Sequence, residues 1–129
     1  MNGNFAGRSE EAQLVFDREN LTYNPSKVFV FIDEHEDSID DGLWNTDPFA
    51  LAVPGQPALA DPATPPMWDN LPTDRHNQAA NIALADGHVI SHRWLWPKRR
   101  WNNASLAPEN AADMRDLIWM LMLSPVEQY

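Results

Sequence analysis

Cysteine is absent from this chain of 129 residues, which excludes disulfide bonds and thiolate metal sites. Basic residues are also few: 9 Lys and Arg stand against 19 Asp and Glu, giving a formal net charge of -10. Nucleic acids and anionic membrane surfaces repel an acidic protein, so neither is an expected partner. The charge fits an extracellular protein or one that binds cations.

Long apolar runs are missing as well. No segment reaches the ~20 apolar residues that span a bilayer, and no signal peptide precedes the first polar residues. The chain as printed is therefore expected to be soluble and to carry no targeting signal. It contains no Gly-X-Ser-X-Gly, P-loop, Rossmann glycine pattern or His-Glu-X-X-His, so the enzyme classes with those signatures are not indicated.

Proline and tryptophan, in contrast, are abundant, with 11 and 6 copies. Prolines interrupt helices, so we expect many turns and few long helices. Seven of the prolines fall in residues 45–74, which we interpret as one long loop within a single domain spanning residues 1–129. Each tryptophan buries a large area, so six of them can anchor a modest core.

The first predicted strand is Val28–Ile32, five consecutive apolar residues that favour β structure. It follows the turn Asn24-Pro25-Ser26. A short apolar run without alternation is typical of a strand that is buried on both faces. We therefore expect this strand inside a sheet.

A β-hairpin is predicted around Asp86-Gly87, with strands at residues 81–85 and 88–94. Asp-Gly between alternating strands favours a two-residue type I′ turn in which both residues have positive φ. In that register Ala83 faces Ile90 and Asn81 faces His92. One face would then carry Asn81, Ala83, Ala85, His88, Ile90, His92 and Trp94, and the other Ile82, Leu84, Val89, Ser91 and Arg93.

A C-terminal helix is predicted from Pro108 to Leu123, with Pro108 at its first position and Glu109 at the positive end of its dipole. Its last two turns are apolar all round, which indicates burial or an interface and permits weak homo-oligomers. The predicted fold is therefore α+β: a small antiparallel sheet with a β-hairpin and a C-terminal helix, joined by long Pro-rich loops.

The acidic run from Asp33 to Gly42 is the first candidate site. Carboxylate oxygens are ligands that calcium and magnesium prefer, and Asp33, Glu34, Asp40 and Asp41 are the candidate ligands. The spacing matches no EF-hand loop. The alternative is a solvated acidic turn whose side chains hydrogen-bond the local backbone.

The second candidate is the set His76, Asp86, His88 and His92, because imidazoles with a carboxylate can hold a transition metal or transfer protons. His76 precedes a predicted strand, however, and Asp86 with His88 follows its far end. Joint ligation by His76 and His88 would need the chain to fold back before Asn81. We therefore favour separate structural hydrogen bonds, with Asp86 shaping the turn.

The third candidate is the basic cluster Lys98-Arg99-Arg100, between Trp96 and Trp101. Exposed aromatic rings beside charged groups can stack on sugars. Tryptophans are more often part of a core, however, and the basic residues would then form a solvated rim or pair with the acidic run.

Two of these segments together resemble a known family. His76, nine further residues and then Asp86-Gly87 match the H-X9-DG motif of bacterial prepilin-type proteins. The block from Asn24 to Gly42 resembles the same family's pattern of Pro-Ser, a hydrophobic strand, Asp-Glu-His, Ser-Ile and Asp-Gly. Met1-Asn2-Gly3 and Asp116–Leu121 are similar to an interior segment and to the ending of those proteins, so the resemblance covers nearly the whole chain.

The resemblance implies a pseudopilin-like structural subunit, in the periplasm or outside the cell, rather than an enzyme. Family members begin with a cleavage site and a long hydrophobic helix that joins them to other pilin-like subunits. Neither occurs here, so the chain is expected to be a globular part of such a protein. Related pseudopilins bind calcium in a C-terminal loop, which makes calcium a plausible ligand without assigning any residue. His76, Asp86, Gly87 and His88 are then motif residues with a structural role.

Two other functions stay open on sequence grounds. One is a metal-dependent hydrolase that uses Asp33, Glu34 and His35 with the histidines around Asp86. The other is a carbohydrate-binding module that uses Trp96 and Trp101.

Overall fold

The computed structural model describes residues 24–39, 44, 66–99 and 105–123. Within these ranges the regular elements are β1 (Phe29–Ile32), β2 (Ala79–Leu84), β3 (Val89–Arg93) and α1 (Ala111–Met122), with short 3-10 helices at Pro25–Lys27 and Glu36–Ser38. The strands form one antiparallel sheet in the order β1-β2-β3. The predicted α+β class, with a small antiparallel sheet, a hairpin and a C-terminal helix, is confirmed.

Strand β1 is buried on one face only, so the prediction of burial on both faces is wrong. Phe29 is fully buried, whereas Phe31 is 55% exposed. The pairing of β1 with β2 also shifts between these two residues. An apolar run alone does not report how many layers cover a strand, and here β1 forms an edge of a sheet that has its core on one side.

The hairpin between β2 and β3 has a three-residue loop, Ala85-Asp86-Gly87, not the predicted two-residue loop. The backbone N–H of Leu84 donates to the carbonyl of His88 at 2.8 Å, and that of Gly87 donates to the carbonyl of Leu84 at 3.0 Å. Gly87 has φ +90°, as predicted, but Asp86 is not at positive φ. A left-handed glycine at the end of a three-residue loop is the next most common hairpin geometry.

This longer loop moves the strand register by one residue, and the predicted faces change with it. Ile82 now pairs with Ile90, and Ala83 pairs with Val89. The core-facing side chains are those of Ala80, Ile82, Leu84, Ile90, His92 and Trp94, and the outer face carries Asn81, Ala83, Val89, Ser91 and Arg93. Apart from the exposed Val89, the large hydrophobic side chains of both strands therefore share one face, which favours this register.

Helix α1 begins at Ala111, three residues later than predicted. Asn110 caps it, because its side-chain oxygen accepts hydrogen bonds from the N–H groups of Ala112 and Asp113 at 2.8 and 3.1 Å. The helix is amphipathic: Leu117 is buried, whereas Met122 is 69% exposed. Its buried residues are Asp113, Asp116, Leu117, Met120 and Leu121.

Tryptophans anchor the core, as predicted. Trp44, Trp68 and Trp94 are each 1% exposed. Trp44 meets Phe29 edge-to-face at 5.4 Å, and Trp68 meets Trp94 in the same manner at 6.4 Å. These contacts join the sheet to the segment before β2, and Leu117, Met120 and Leu121 of α1 belong to the same cluster.

Candidate functional site

The two sequence blocks that carry the family resemblance touch each other at Asp33 and His76. The Nε2 atom of His76 lies 3.2 Å from Oδ2 of Asp33. The same carboxylate oxygen accepts hydrogen bonds from the backbone N–H and the side-chain amide of Asn81, both at 3.2 Å. The contact lies at the surface, since the His76 and Asp33 side chains are 53% and 40% exposed.

A tight reversal before β2 places His76 there. Asn77 and Gln78 have positive φ, 56° and 61°, and the N–H of His76 donates to the carbonyl of Ala79 at 3.3 Å. The chain therefore does fold back before Asn81. It brings His76 to the end of β1 rather than to His88. Asparagine tolerates the left-handed region, but the sequence has no comparable signal at Gln78.

Asp86 and His88 form a separate pair at the hairpin tip. Oδ1 of Asp86 accepts from the backbone N–H of His88 at 3.0 Å, and Oδ2 lies 2.8 Å from the His88 ring nitrogen Nδ1. The hydrogen bond from the His88 backbone N–H lowers the pKa of Asp86, and the contact with the His88 ring lowers it further. The six-residue strand β2 separates this pair from His76 by ~20 Å at 3.3 Å per residue, so the structure does not bring His76 and His88 together.

Side-chain hydrogen bonds organise the acidic turn after β1. Oε1 of Glu34 accepts from the Ser38 hydroxyl and from the Asn70 amide, both at 2.9 Å. The N–H of Asp37 donates to Nδ1 of the buried His35 at 3.2 Å. Asn70 thereby ties this turn to the segment before β2.

Arg75 holds the outside of the same turn. Its guanidinium donates to the Glu34 carbonyl at 3.2 Å and to Oε2 of Glu36 at 3.1 Å. The pKa of Glu36 is lowered because its carboxylate accepts a hydrogen bond from the backbone N–H of Glu36 itself. The positive charge of Arg75 acts in the same direction. Arg75 stands directly before His76, so both residues bind the turn that follows β1.

Of the four predicted metal ligands, Asp33 and Glu34 make the hydrogen bonds given above, and Asp40 and Asp41 lie outside the described residues. Across the part of the chain that the structure describes, no three His, Asp or Glu side chains are grouped as metal ligands would be. Calcium or magnesium at these four residues stays a prediction.

A buried ion cluster, which we call the Lys98 cluster (Lys98, Asp113 and Asp116), was not predicted. Nζ of Lys98 lies 2.6 Å from Oδ1 of Asp113 and 2.7 Å from Oδ2 of Asp116. The side chains are only 1%, 6% and 1% exposed. For Lys98, the expected solvated rim or pairing with the acidic run is therefore wrong. The sequence signal for this cluster was a pair of aspartates three positions apart on the apolar side of the predicted helix.

The walls of the Lys98 cluster are aromatic rings and backbone amides. The Lys98 ammonium lies 5.1 Å from the ring centre of Trp68 and 5.4 Å from that of Trp94. Asp113 also accepts from the Trp68 indole N–H at 3.2 Å and from the Glu109 N–H at 2.9 Å. The N–H groups of Leu95 and Trp96 both donate to Asp116 at 3.0 Å. The cluster thus attaches α1 to the chain that follows β3.

His92 lies next to this cluster and stacks on Trp119, with ring centres 3.5 Å apart and planes 11° apart. Its Nε2 atom is buried and has no hydrogen-bond partner among the described residues. Burial lowers the pKa of His92; the negative charge of Asp116 opposes this shift, and the positive charge of Lys98 adds to it. His92 is therefore a neutral aromatic group at neutral pH, and its ring packs against Trp119.

An open cleft of about 630 Å³ borders the Lys98 cluster. Its lining includes Trp68, Leu71, Leu106, Arg99, Glu109 and Asp37. Trp96, one of the two tryptophans considered for sugar binding, is 36% exposed and donates its indole N–H to Glu109 at 3.2 Å. The other, Trp101, lies outside the described residues.

Comparison of this chain with protein-family models, with curated proteins and with solved structures finds no match. Among the described residues, no helix combines the length and the apolar character that crossing a membrane requires.

Proposed function

We propose that this chain is a structural subunit of a bacterial pilin- or pseudopilin-like assembly in the periplasm or outside the cell, and that it has no catalytic activity. The observation that supports this most is the contact between His76 and Asp33. The first residue of the H-X9-DG motif thereby binds the block after β1 that carries the second part of the resemblance. In this proposal the motif acts by stabilising the fold.

The hydrogen bonds of the other motif residues support the same proposal. Asp86 binds the backbone and ring of His88 within the hairpin loop, and Gly87 supplies the left-handed conformation of that loop. A hydrolase would need nucleophile, base and electrophilic groups around one point. Here His76 and His88 lie at opposite ends of β2, which disfavours a joint catalytic or metal site.

The partners in this proposal are other pilin-like subunits, held through a hydrophobic N-terminal helix of the kind that the family carries. A cation at the acidic turn belongs to the same proposal. Calcium would bind Asp33, Glu34, Asp40 and Asp41 and would stabilise the turn rather than take part in a reaction.

Immunogold labelling of the source bacterium tests the proposal. Antibodies raised against the purified chain are expected to label sheared surface filaments or periplasmic fractions of wild-type cells, and to label nothing in a deletion strain. Photo-crosslinking from the exposed position Val89 in living cells should then capture pilin-like subunits, which are recognised by the prepilin leaders that their genes encode. Recovery of the protein only in the cytoplasm, with no such partner, would overturn the proposal.

A further inference from the structure

The Lys98 cluster places an amine against a carboxylate in a site from which water is largely excluded. The distance from Nζ of Lys98 to Oδ1 of Asp113 is 2.6 Å, and both side chains are almost fully buried. A second carboxylate, Asp116, touches the same nitrogen at 2.7 Å. The site therefore contains an amine, an acyl group and a proton carrier in mutual contact.

We propose that Lys98 and Asp113 condense to an intramolecular isopeptide bond, with Asp116 moving the protons. Lys98 first gives a proton to Asp113, which leaves a neutral amine facing a carboxylic acid. The amine nitrogen attacks the Asp113 carboxyl carbon, and Asp116 takes a proton from that nitrogen. The C–O bond then breaks, Asp116 returns the proton to the departing oxygen, and one water molecule leaves. Asp116 ends as it began, and no oxidant or activating reagent is consumed.

The surroundings favour both the attack and the loss of water. Well-oriented neighbouring groups react with effective concentrations on the order of 10⁵ to 10⁸ M. The Trp68 indole N–H and the Glu109 N–H donate to the two oxygens of Asp113, where negative charge develops in the tetrahedral intermediate. Condensation also replaces the buried Lys98–Asp113 ion pair by a neutral amide, and the N–H groups of Leu95 and Trp96 continue to donate to the carboxylate of Asp116.

The two carboxylates are assigned different roles from their positions. Both oxygens of Asp116 accept backbone N–H groups, from Leu95 and Trp96, which hold its carboxylate in position beside Lys98. Asp113 lines the open cleft, whereas Asp116 is not among the residues that line it. The cleft offers an exit for the water that leaves Asp113.

The sequence makes the test specific, because Lys27 is the only lysine besides Lys98. The intact mass of the folded, purified 129-residue chain is expected to be lower than the sequence mass by one water molecule. The Lys27→Arg variant should keep this loss, and Lys98→Arg should abolish it. Asp116→Asn should slow its appearance after refolding by about 100-fold, the usual contribution of a positioned proton carrier.

Tryptic peptide mapping identifies the residues between which the water molecule was lost. Arg115 separates Asp113 from Asp116, so an isopeptide bond to Asp113 yields a branched peptide that joins Lys98 to residues 101–115. A branch to residues 116–129 would contradict the choice of Asp113. Water loss confined to residues 76–93 would instead indicate a succinimide at Asp86-Gly87, and would overturn the proposal. An unmodified wild-type mass after prolonged incubation would also overturn it, whatever the folding of the variants.

Discussion

His76 Nε2 lies 3.2 Å from Asp33 Oδ2, and this contact joins the residue before the β2 reversal to the residue after β1. Asp33 accepts from Asn81 as well, so one carboxylate connects three segments. Because Asp33 is distant in sequence from both His76 and Asn81, these hydrogen bonds help to fix the relative positions of β1 and β2.

Removing Asp33 should therefore cost more stability than removing His76. We expect Asp33→Ala to lower the free energy of unfolding by about 1–2 kcal/mol, because two N–H groups of Asn81 and one imidazole lose their acceptor. His76→Ala should cost less than ~1 kcal/mol, because it removes one exposed ion pair. Urea denaturation of both single variants and the double variant measures this. A larger loss for His76→Ala would contradict the assignment.

Gly87→Val is expected to destabilise the protein by more than ~1 kcal/mol, because a β-branched residue resists the φ of +90° at this position. A Cβ atom at Gly87 would meet no atom within 4 Å, so the cost is conformational rather than steric. Gly87→Asn is the matched control, since asparagine tolerates the left-handed region, and it should retain most of the stability. Equal urea midpoints for the two variants would refute this explanation.

Acidification should destabilise the fold through His92. Its pKa lies below 6.5 in the folded protein because the ring is partly buried, so the unfolded chain binds a proton first as the pH falls. The free energy of unfolding should therefore fall between about pH 7 and pH 5. His92→Phe keeps a ring on Trp119 and should flatten this part of the profile. His88→Gln at the exposed hairpin tip is the control. A profile that His92→Phe leaves unchanged would exclude His92 as the cause.

Calcium is expected to raise the melting temperature if it binds the native acidic turn, because a ligand specific for the folded state stabilises it by mass action. The double variant Asp40→Asn, Asp41→Asn should reduce that increase, and Asp69→Asn, an acidic residue outside the turn, should not. Differential scanning fluorimetry at increasing calcium measures the effect. A stoichiometric zinc ion held by His76 and His88, with hydrolytic turnover lost on mutating either, would overturn both this prediction and the non-enzymatic proposal.

A polypeptide of these 129 residues should not form pilus-like filaments by itself. The sequence contains no apolar run long enough to build the filament core of the family it resembles. Weak dimers remain allowed through the apolar end of α1, where Met122 is exposed. Negative-stain electron microscopy and sedimentation measure the outcome, and regular filaments from this polypeptide would refute the expectation.

Local chemistry was sufficient to predict several elements of this fold. Asp-Gly between two β-prone segments indicated the hairpin, and Gly87 has the positive φ that was expected. The apolar run after Pro25-Ser26 indicated β1, and the apolar residues near the C terminus indicated α1. Each of these features depends on neighbours in sequence, so composition and spacing report it directly.

The register of the hairpin strands and the partners of the charged side chains, by contrast, depended on packing between distant segments. Asp-Gly is compatible with a two-residue or a three-residue loop, and the choice follows from placing Ile82 and Ile90 on the same buried face. Lys98 looked like one of three solvated cations, yet α1 supplies two carboxylates that hold it inside the core. His76 contacts Asp33 because the chain reverses at Asn77 and Gln78, and the sequence gives little indication of that reversal. Backbone preferences are local, whereas burial and charge pairing depend on segments that meet only in the folded chain, so tertiary structure alone decided these contacts.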